Sequence, residues 1–456
     1  MSAVEEIDDD WRTALRRELA DWRLWAMRAI VVALAILAGL TIVLFTWLAE
    51  QASACFDLLR EAAWWTPLLA APAVAAGVVW LTRRYAAGAA GSGIPQVIAA
   101  LDRQADGEQR SLFVSLRLSV AKILLTSAGL LGGLSLGREG PSVQIAAGIM
   151  LQARRVLPWG LGVRLDGRPA VGIRGLLVAG GAAGIAAAFN TPLGGVMFAI
   201  EELARSPEHR SSGLIIASIV LAGLVAVSAH GNGVYFGVIH AQHVGMELLW
   251  PGLLVAVVTG LAGGLFSRLL LASLSGTSGD WFSRQRARRP VLFAGGCGLA
   301  VAVIGLVSAG ATFGSGYEST RMMVEGWSAM PAAYALFKFL ATWITTWSGV
   351  PAGIFAPSLA IGAGIGNDVA LLLYGTQAPA LIALGMVGFL AAATQAPLTS
   401  FIIVMEMVDG HAMVLSLMAC ALVAFAVARI ISPPLYPMLA RLQLKRLPPP
   451  EAPPGS

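Results

Sequence analysis

The sequence predicts an all-α polytopic membrane protein made of two homologous halves. Composition, long apolar tracts and an internal repeat carry this prediction. The chain has 456 residues, of which 57% are hydrophobic and 12% are charged, whereas soluble domains contain about 25% charged residues. A transmembrane β-barrel would instead show short segments of alternating hydrophobicity.

Apolar tracts follow one another along the chain with little polar sequence between them. A helix that crosses the hydrocarbon core of a bilayer needs about 20 apolar residues, and most of the tracts approach or exceed that length. The first follows a polar segment that contains EEIDDD and shows no clear cleavage pattern of a signal peptide. The tracts cover residues 29–49, 64–81, 112–134, 175–200, 213–229, 249–272, 291–311, 331–347 and 378–431.

Basic residues flank the apolar tracts, and the formal net charge is +5. Because loops rich in lysine and arginine tend to face the cytoplasm, we expect a cytoplasmic segment 1–28, a transmembrane domain 29–441 and a short disordered cytoplasmic tail 442–456. No nucleic-acid partner is expected, since the basic residues lie beside membrane segments. The clusters cover residues 12–28, 83–84, 154–168, 284–289 and 441–446.

The cysteines and histidines indicate neither a metal site nor a disulfide framework. Cys55, Cys297 and Cys420 are scattered through apolar sequence, and no pair of histidines has metal-ligand spacing beside a carboxylate. We therefore expect no metal and no cofactor.

An internal repeat relates the two halves, which we place at roughly 60–225 and 290–435. The segment KILLTSAGLLGGLSLGREGP, from Lys122, aligns with KFLATWITTWSGVPAGIFAP, from Lys338, so that lysine, glycine and proline fall in register. AAAFNTPLGGVMFAIEEL, from Ala186, aligns in the same way with AAATQAPLTSFIIVMEMV. The tripeptide GSG precedes the first pair in each half, so the order of the motifs is the same.

The motifs GREGP (137–141) and GIFAP (353–357) predict helix N-termini in the middle of the membrane. Proline is favoured in the first helical turn, and each motif precedes an apolar segment. A helix N-terminus presents unpaired N–H groups and a partial positive charge. Two of them, one from each half, directed at a common point would form an anion site.

The motif GSGIP (91–95) adds a loop and another proline-led helix start. Ser92 offers a hydroxyl donor, and Gly93 lets backbone and ion approach closely. A plain linker is the alternative. A dinucleotide-binding fingerprint is not completed at Gln96, and no βαβ unit surrounds the motif. An ion held by dipoles and hydroxyls is bound but can still leave, as conduction requires.

Glu139 places an acid inside an apolar tract. An ionised carboxylate at mid-bilayer costs on the order of 3 kcal/mol and usually marks an ion or proton pathway. The N–H groups that would hold an anion also favour its charge, so Glu139 can compete with the anion and swing away when protonated. A helix-capping glutamate is the alternative. The counterpart of Glu139 is Phe355, so the repeat framework does not require an acid here.

The comparison of the halves also separates Glu201 from Glu202. Glu201 aligns with Glu406 and is interpreted as part of the framework, whereas Glu202 aligns with Met407 and is specific to the first half. We place Glu202 near the cytoplasmic side, where it can accept protons. A solvated glutamate at a helix end is the alternative.

Other polar positions have weaker interpretations. Lys122 and Lys338 align with each other, which favours a framework or counter-charge role. Arg138 is expected to face an aqueous vestibule, where it attracts anions or pairs with an acid. Tyr436, taken alone, is typical of an anchor at the membrane interface.

Together GSGIP, GREGP, GIFAP and the late Tyr436 resemble the CLC family of chloride channels and chloride/proton antiporters over nearly the whole chain. The resemblance implies two inverted-topology repeats of tilted, broken transmembrane helices. It also implies a homodimer with one pathway in each subunit, in a prokaryotic inner membrane. The regulatory nucleotide-binding modules common in eukaryotic members are not expected, so no nucleotide is expected either.

The resemblance also implies roles for single residues. Ser92 and Tyr436 would donate hydroxyls to a central chloride, and the backbone amides of Ile354 and Phe355 would complete that site. Serine in GSGIP goes with chloride in this family, whereas nitrate-preferring members carry proline.

A second set of implied roles concerns the outer site and the proton. Backbone amides from Arg138 to Gly140 would line an outer anion site, and Gly93 is also expected among the chloride-binding residues. Glu139 would be the external gating glutamate. Glu202 falls where antiporters keep an internal proton-transfer glutamate and channels typically have an apolar residue.

Two positions depart from the family pattern. Gln96 stands where many relatives have a glutamate, which removes an acid near the inner side and leaves Glu202 more isolated as a proton acceptor. Ala352 stands where relatives often have a second glycine, which is a small change.

The sequence therefore predicts a transporter, not an enzyme, that exchanges chloride for protons. A passive chloride channel of the same fold, gated by voltage or pH, is the alternative. An intramembrane serine protease is a remote alternative, since GTSG (276–279) resembles a protease motif and His411 lies downstream. Ser278, however, lies in a polar loop beside Asp280 rather than at a helix start.

Overall fold

The described part of the chain is mostly helical. Its extended pairing is one isolated β-bridge, between Gly137 and Gly353. The structure is a computed structural model. It describes residues 22–102, 107–156, 172–204, 212–231, 234–239, 246–276, 279–326, 330–331, 333–373 and 378–445. Within these residues, 7 helices are long and apolar enough to cross a membrane. The prediction of an all-α polytopic membrane protein is confirmed.

The first half folds into helices of very unequal length. They are α1 (Trp22–Ala62), α2 (Thr66–Tyr85), α3 (Ile94–Ala100), α4 (Gly107–Phe113), α5 (Leu116–Leu131), α6 (Glu139–Met150), α7 (Ala153–Val156), α8 (Ile173–Phe189), α9 (Pro192–Phe198), a π-helical segment (Ala199–Ala204) and α10 (Ser212–His230). At 1.5 Å per residue, α1 with its 41 residues is about 62 Å long, whereas a hydrocarbon core is about 30 Å thick. This helix therefore crosses at a tilt or projects beyond the membrane.

The second half also begins with a long apolar helix, and its main helices follow the same order as those of the first. It contains α11 (Leu249–Ser275), α12 (Trp281–Arg288), α13 (Pro290–Val307), α14 (Tyr317–Val324), α15 (Tyr334–Ser348), α16 (Phe355–Leu372), α17 (Ala378–Thr394), α18 (Pro397–Met407), α19 (Val414–Ile431) and α20 (Leu435–Leu444). The helices α6, α8 and α9 of the first half correspond to α16, α17 and α18 of the second. In the core, α8 packs on α6 and α17 packs on α16, and nearly every residue of α8 and α17 is buried.

The long apolar tracts are broken at equivalent places in the two halves. The chain turns at Asn190, with φ of 58°, after α8, and at Gln395, with φ of 60°, after α17. Left-handed backbone cannot continue a right-handed helix, and the next helix then starts with a proline, at Pro192 or Pro397. The prediction of broken helices is confirmed.

Equivalent glutamates join the halves by capping each other's helices. The carboxylate of Glu201 accepts hydrogen bonds from two N–H groups at the start of α18, at 3.1 and 2.7 Å. Glu406 accepts from two N–H groups at the start of α9, again at 3.1 and 2.7 Å. A carboxylate is favoured at a helix N-terminus by the unpaired N–H groups and the helix dipole. This reciprocal arrangement supports the framework role expected for Glu201.

Equivalent lysines hold the GSG loops. The ammonium group of Lys122 donates to the carbonyls of Ala89 and Gly91, at 2.7 and 2.5 Å. Lys338 donates to the two corresponding carbonyls, one two residues before the second GSG motif (314–316) and one at its first glycine, at 3.0 and 2.8 Å. Both lysine side chains are fully buried. Their partners are main-chain carbonyls, so the contacts favour a framework role over a counter-charge role.

Two predicted segment boundaries differ from the helix ends. α1 has begun by Trp22, inside the segment 1–28 that was expected to precede the membrane domain. α20 continues to Leu444, so the start of the expected disordered tail is helical. Residues 1–21 and 446–456 lie outside the described residues.

Lys122→Met is expected to destabilise the protein, because the carbonyls that it holds lose their buried donor. An unsatisfied buried polar group costs about 1–3 kcal/mol. Lys338→Met should have a similar effect, since its contacts are equivalent. The measurement is the temperature at which the detergent-solubilised protein loses its monodisperse elution peak. The control is Lys445→Met, at an exposed lysine; an equal loss of stability in the control would contradict the framework role.

Candidate anion-binding site

The three glycine-rich motifs, GSGIP, GREGP and GIFAP, meet in the interior of the folded protein. Gly137 and Gly353 pair in antiparallel fashion, with N–H···O distances of 2.8 and 3.1 Å. A Cβ added to Gly93 would lie 2.5 Å from the carbonyl oxygen of Gly140, and one added to Gly140 would collide with the hydroxyl of Ser92. Only glycine allows the loops this close an approach.

The pairing places two helix N-termini beside each other. α6 begins at Glu139 and α16 begins at Phe355, and neither start has a side-chain cap. The first N–H groups of a helix have no partner within the helix, so both starts offer donors and a partial positive charge. The prediction that GREGP and GIFAP begin helices is confirmed.

The carboxylate of Glu139 lies at the start of the helix from the opposite half. Its Oε2 atom is 3.4 Å from the N–H nitrogen of Ala356, and the N–H groups of Arg138 and Glu139 are near enough to stabilise its charge. The side chain is fully buried, and Oε1 has no hydrogen-bond partner among the described residues. The sequence predicted favourable N–H groups; the structure assigns one of them to α16 rather than to α6.

The hydroxyls of Ser92 and Tyr436 are neighbours in the interior. Both oxygen atoms are buried and make no hydrogen bond of standard geometry with a described residue, and the Ser92 hydroxyl lies close enough to interact with the Tyr436 phenol. The Tyr436 ring stacks on that of Phe355, with the centroids 6.1 Å apart and the planes at 10°. Tyr436 is fully buried, so its interpretation as an interfacial anchor is wrong. A buried hydroxyl without a partner costs free energy and is suited to donate to a ligand.

Ile354 and Phe355 supply buried backbone at the start of α16. Ile354 is the N-cap residue, and both side chains are 2% exposed. Their N–H groups lie at the same helix start as that of Ala356, which donates to Glu139.

Glu202 is buried within the π-helical segment Ala199–Ala204, with 3% of its surface exposed. The alternative of a solvated glutamate at a helix end is therefore wrong. The carboxylates of Glu202 and Glu139 both interact electrostatically with the phenol of Tyr436. Tyr436 therefore lies within electrostatic range of both glutamates. Single π-helical turns occur frequently at functional sites.

The side chain of Arg138 pairs with an acid. Its guanidinium donates to the carboxylate of Glu50 at 2.9 Å and to the hydroxyl of Tyr235 at 3.2 Å. This contact ties the GREGP loop to α1. Neither partner was found from the sequence, although Glu50 could have been noticed as an acid that ends the first apolar tract.

Gln96 strengthens the GSG loop. Its Oε1 atom accepts a hydrogen bond from the N–H of Gly93 at 2.9 Å, and its amide nitrogen donates to the carbonyl of Ala90. A neutral amide can make both bonds, whereas an ionised glutamate could only accept. Glutamine at position 96, where many relatives have a glutamate, therefore holds the GSG loop with both ends of its amide.

Ser358 is a buried hydroxyl that sequence analysis did not single out. It lies in the first turn of α16, and its oxygen has no partner among the residues described. The counterpart Ser142 donates to the carbonyl of Arg138 at 2.9 Å. The alignment of Ser142 with Ser358 was the available signal.

The protease hypothesis finds no assembled site. Ser278 lies outside the described residues, and His411 is exposed, with Asp409 as its neighbour at 3.7 Å. Among the residues described, no group of three or more histidine, cysteine, aspartate or glutamate side chains could hold a metal ion.

A model of the voltage gated chloride channel family matches residues 74–429 of the chain. The chain is 32% identical over 387 residues to the "H(+)/Cl(-) exchange transporter ClcA" of Citrobacter koseri, which covers 80% of the chain and 76% of the relative. It is 31% identical to the protein of the same name from Salmonella typhimurium, with the same coverage.

Solved structures share the fold. A slow cyanobacterial Cl-/H+ antiporter superposes with a TM-score of 0.77 at 24% identity, over 92% of this chain and 98% of the other. A CLC-type fluoride/proton antiporter superposes with a TM-score of 0.73 at 22% identity, over 92% and 99%. The expected architecture is confirmed.

Gly140→Ala is expected to weaken chloride binding at least tenfold, because the added methyl group collides with the Ser92 hydroxyl. Calorimetric titration of the detergent-solubilised protein with chloride gives the dissociation constant. The control is Gly77→Ala in α2, where an added Cβ meets nothing within 4 Å. Unchanged chloride affinity in Gly140→Ala would show that the meeting of the loops does not form the site.

Proposed function

The chain belongs to the voltage-gated chloride channel family, and we propose that it exchanges chloride for protons across the membrane. The observation that carries the proposal is the position of the Glu139 carboxylate, buried at the start of α16 within reach of the Ala356 N–H group. That helix start also suits a chloride ion, because a helix N-terminus attracts anions in general. One place that accepts either a carboxylate or a chloride ion links proton binding to anion movement.

The exchange follows from competition for this place. While Glu139 is ionised, its charge is held by the helix N-terminus and it excludes chloride. Protonation removes that charge and with it most of the attraction to the N–H groups. The neutral side chain can then leave, and chloride enters. When the proton is released, the carboxylate returns and displaces the anion.

The central chloride would be held by neutral donors. The hydroxyls of Ser92 and Tyr436 and the backbone amides of Ile354 and Phe355 provide them, and the buried hydroxyls without partners support this assignment. An outer site would use the amides from Arg138 to Gly140, which the loop at Gly93 adjoins.

The basic side chains of Lys122, Lys338 and Arg138 bind other protein groups. The ammonium groups of Lys122 and Lys338 donate to carbonyls, and Arg138 pairs with Glu50. Chloride is therefore held by dipoles rather than by a fixed charge, and such binding lets the ion leave.

Glu202 is proposed as the proton acceptor on the inner side. It is buried and, like Glu139, lies within electrostatic range of Tyr436. A passive channel requires no second buried acid, so Glu202 favours antiport over the channel alternative. The bacterial relatives are named as H(+)/Cl(-) exchange transporters, which supports the same exchange here.

The setting follows from the relatives and the helices. We propose a multi-pass protein of a prokaryotic inner membrane with both termini in the cytoplasm. We also propose a homodimer with one pathway in each subunit. The mirrored leucines Leu193 and Leu398, on the adjoining helices α9 and α18, are exposed and suit such a contact. The protein acts as a transporter rather than an enzyme, without cofactor or nucleotide.

Flux measurements in liposomes test the proposal. A chloride gradient imposed on the reconstituted wild-type protein should drive protons against their own gradient, recorded with a chloride electrode and a pH electrode together. Glu139→Ala and Glu202→Ala should abolish proton movement while chloride flux continues, because each removes a proton carrier but no chloride donor.

Glu201→Gln is the matched control for Glu202→Ala. The neighbouring glutamate caps α18, so its variant should keep proton coupling even if stability falls. Chloride flux without proton movement in the wild type would establish the channel alternative. Proton coupling that survives in Glu202→Ala would remove the proposed inner acceptor.

A further inference from the structure

A second cavity, of about 480 Å³, lies apart from the anion site. We call it the boundary cavity and define it by Thr82, Arg83, Ser273, Ser283, Arg286 and Ser348. None of its lining residues belongs to α3 or α20, which carry the Ser92 loop and Tyr436. It is therefore distinct from the space between those two hydroxyls.

The boundary cavity lies where membrane-spanning helices end. Its walls are the last residues of α2 and α11, the first residue of α13 and the short helix α12. α2, α11 and α13 are each long and apolar enough to cross a membrane. The cavity is thus at the boundary between the hydrocarbon and the water, on the side where basic residues 83–84 and 284–289 cluster.

The charged residues that line the boundary cavity are arginines. Arg83 comes from α2, and Arg286 comes from α12, where it also donates to the carbonyl of Ser273 at 3.2 Å. The nearby Asp280 caps α12 by accepting from the N–H of Ser283 at 3.1 Å, and is not a lining residue. Arginine is the side chain best matched to phosphate, because its planar fork donates in parallel to two oxygens.

Exposed aromatic side chains lie close in the sequence to residues that line the boundary cavity. Trp80 and Tyr85 lie at the end of α2, and Trp281 and Phe282 lie at the start of α12; each is more than half exposed. Tryptophan and tyrosine are enriched at the level of lipid headgroups. A short helix with basic residues beside exposed aromatic ones is suited to lie in that plane.

We propose that the boundary cavity binds a phosphate group, that of an anionic phospholipid headgroup. The volume is within the range of about 300–1,000 Å³ that ligand sites occupy. The two arginines face a depth at which lipid phosphates are concentrated, and anionic lipids attract basic segments beside the membrane. The proposal does not depend on the exchange of chloride for protons.

A ligand in the boundary cavity would contact the same loops that form the anion site, and could stabilise them. Ala87 and Ala90 line the cavity and directly precede the GSG loop, and Gly349 lines it a few residues before Gly353. The N–H of Ala352 donates to the carbonyl of Gly91 at 3.3 Å, which joins the two loops. A phosphate held against these segments would stabilise the native arrangement.

Thermal unfolding of the full chain in detergent tests the proposal. The probes are short-chain phosphatidylglycerol, short-chain phosphatidylcholine and inorganic phosphate. A ligand that binds only the native state raises its stability, so phosphatidylglycerol should raise the midpoint by several degrees and phosphatidylcholine should not. The double variant Arg83→Gln, Arg286→Gln should lose this shift.

The control is the double variant Arg84→Gln, Arg288→Gln. It removes the same charge from the same two helices at residues that do not line the boundary cavity, and should keep the shift. Loss of the shift in the control, or its survival in Arg83→Gln, Arg286→Gln, would overturn the proposal. An equal shift with inorganic phosphate would support the phosphate site and identify free phosphate as its source.

Labelling of the wild-type protein gives a result that does not depend on a variant that folds. A photoactivatable phosphatidylglycerol, in vesicles of phosphatidylcholine and phosphatidylglycerol, should label peptides that contain residues 79–90 and 281–290. Labelling spread evenly over the lipid-facing helices would overturn the proposal.

Discussion

The mutual hydrogen bonds between Gly137 and Gly353 are the contact on which the site depends. Each glycine also packs against the proline of the other motif, since a Cβ on Gly137 would lie 3.1 Å from Pro357 and one on Gly353 would lie 2.9 Å from Pro141. Equivalent residues that pair in antiparallel fashion are related by a two-fold axis through the pair. This arrangement agrees with the inverted repeat expected of the fold, and it brings two helix N-termini together, with the Glu139 carboxylate of one at the start of the other.

Two sets of polar groups in the interior differ in their partners. Lys122, Lys338, Glu201 and Glu406 are each bonded to two main-chain groups. They recur in both halves and hold the framework. Ser92, Tyr436 and one oxygen of Glu139 are buried without partners in the described structure, and they belong to one half or to neither repeat. Unsatisfied buried groups cost stability, so a ligand that satisfies them is the physical reason to keep them.

Comparison of the two halves in sequence predicted much of this division. An aligned Lys122 and Lys338 indicated a framework role, and the lack of an acid opposite Glu139 indicated a special one. Sequence alone placed the broken helices because glycine and proline act locally. No local pattern predicted that Glu139 reaches the helix of the other half, that Glu50 is the acid paired with Arg138, or that Tyr436 is buried, although the family resemblance implied a central place for Tyr436. Those contacts join segments far apart in the chain, and no local pattern encodes them.

Competition between the Glu139 carboxylate and chloride for the start of α16 is the central claim. Its most direct test is the chloride dissociation constant, measured by calorimetry as a function of pH for the wild type and for Glu139→Gln. In the wild type, binding should tighten as the pH falls, because protonation removes the competing charge. In Glu139→Gln, binding should be tight and independent of pH over the same range. The same pH dependence in both proteins would contradict the account.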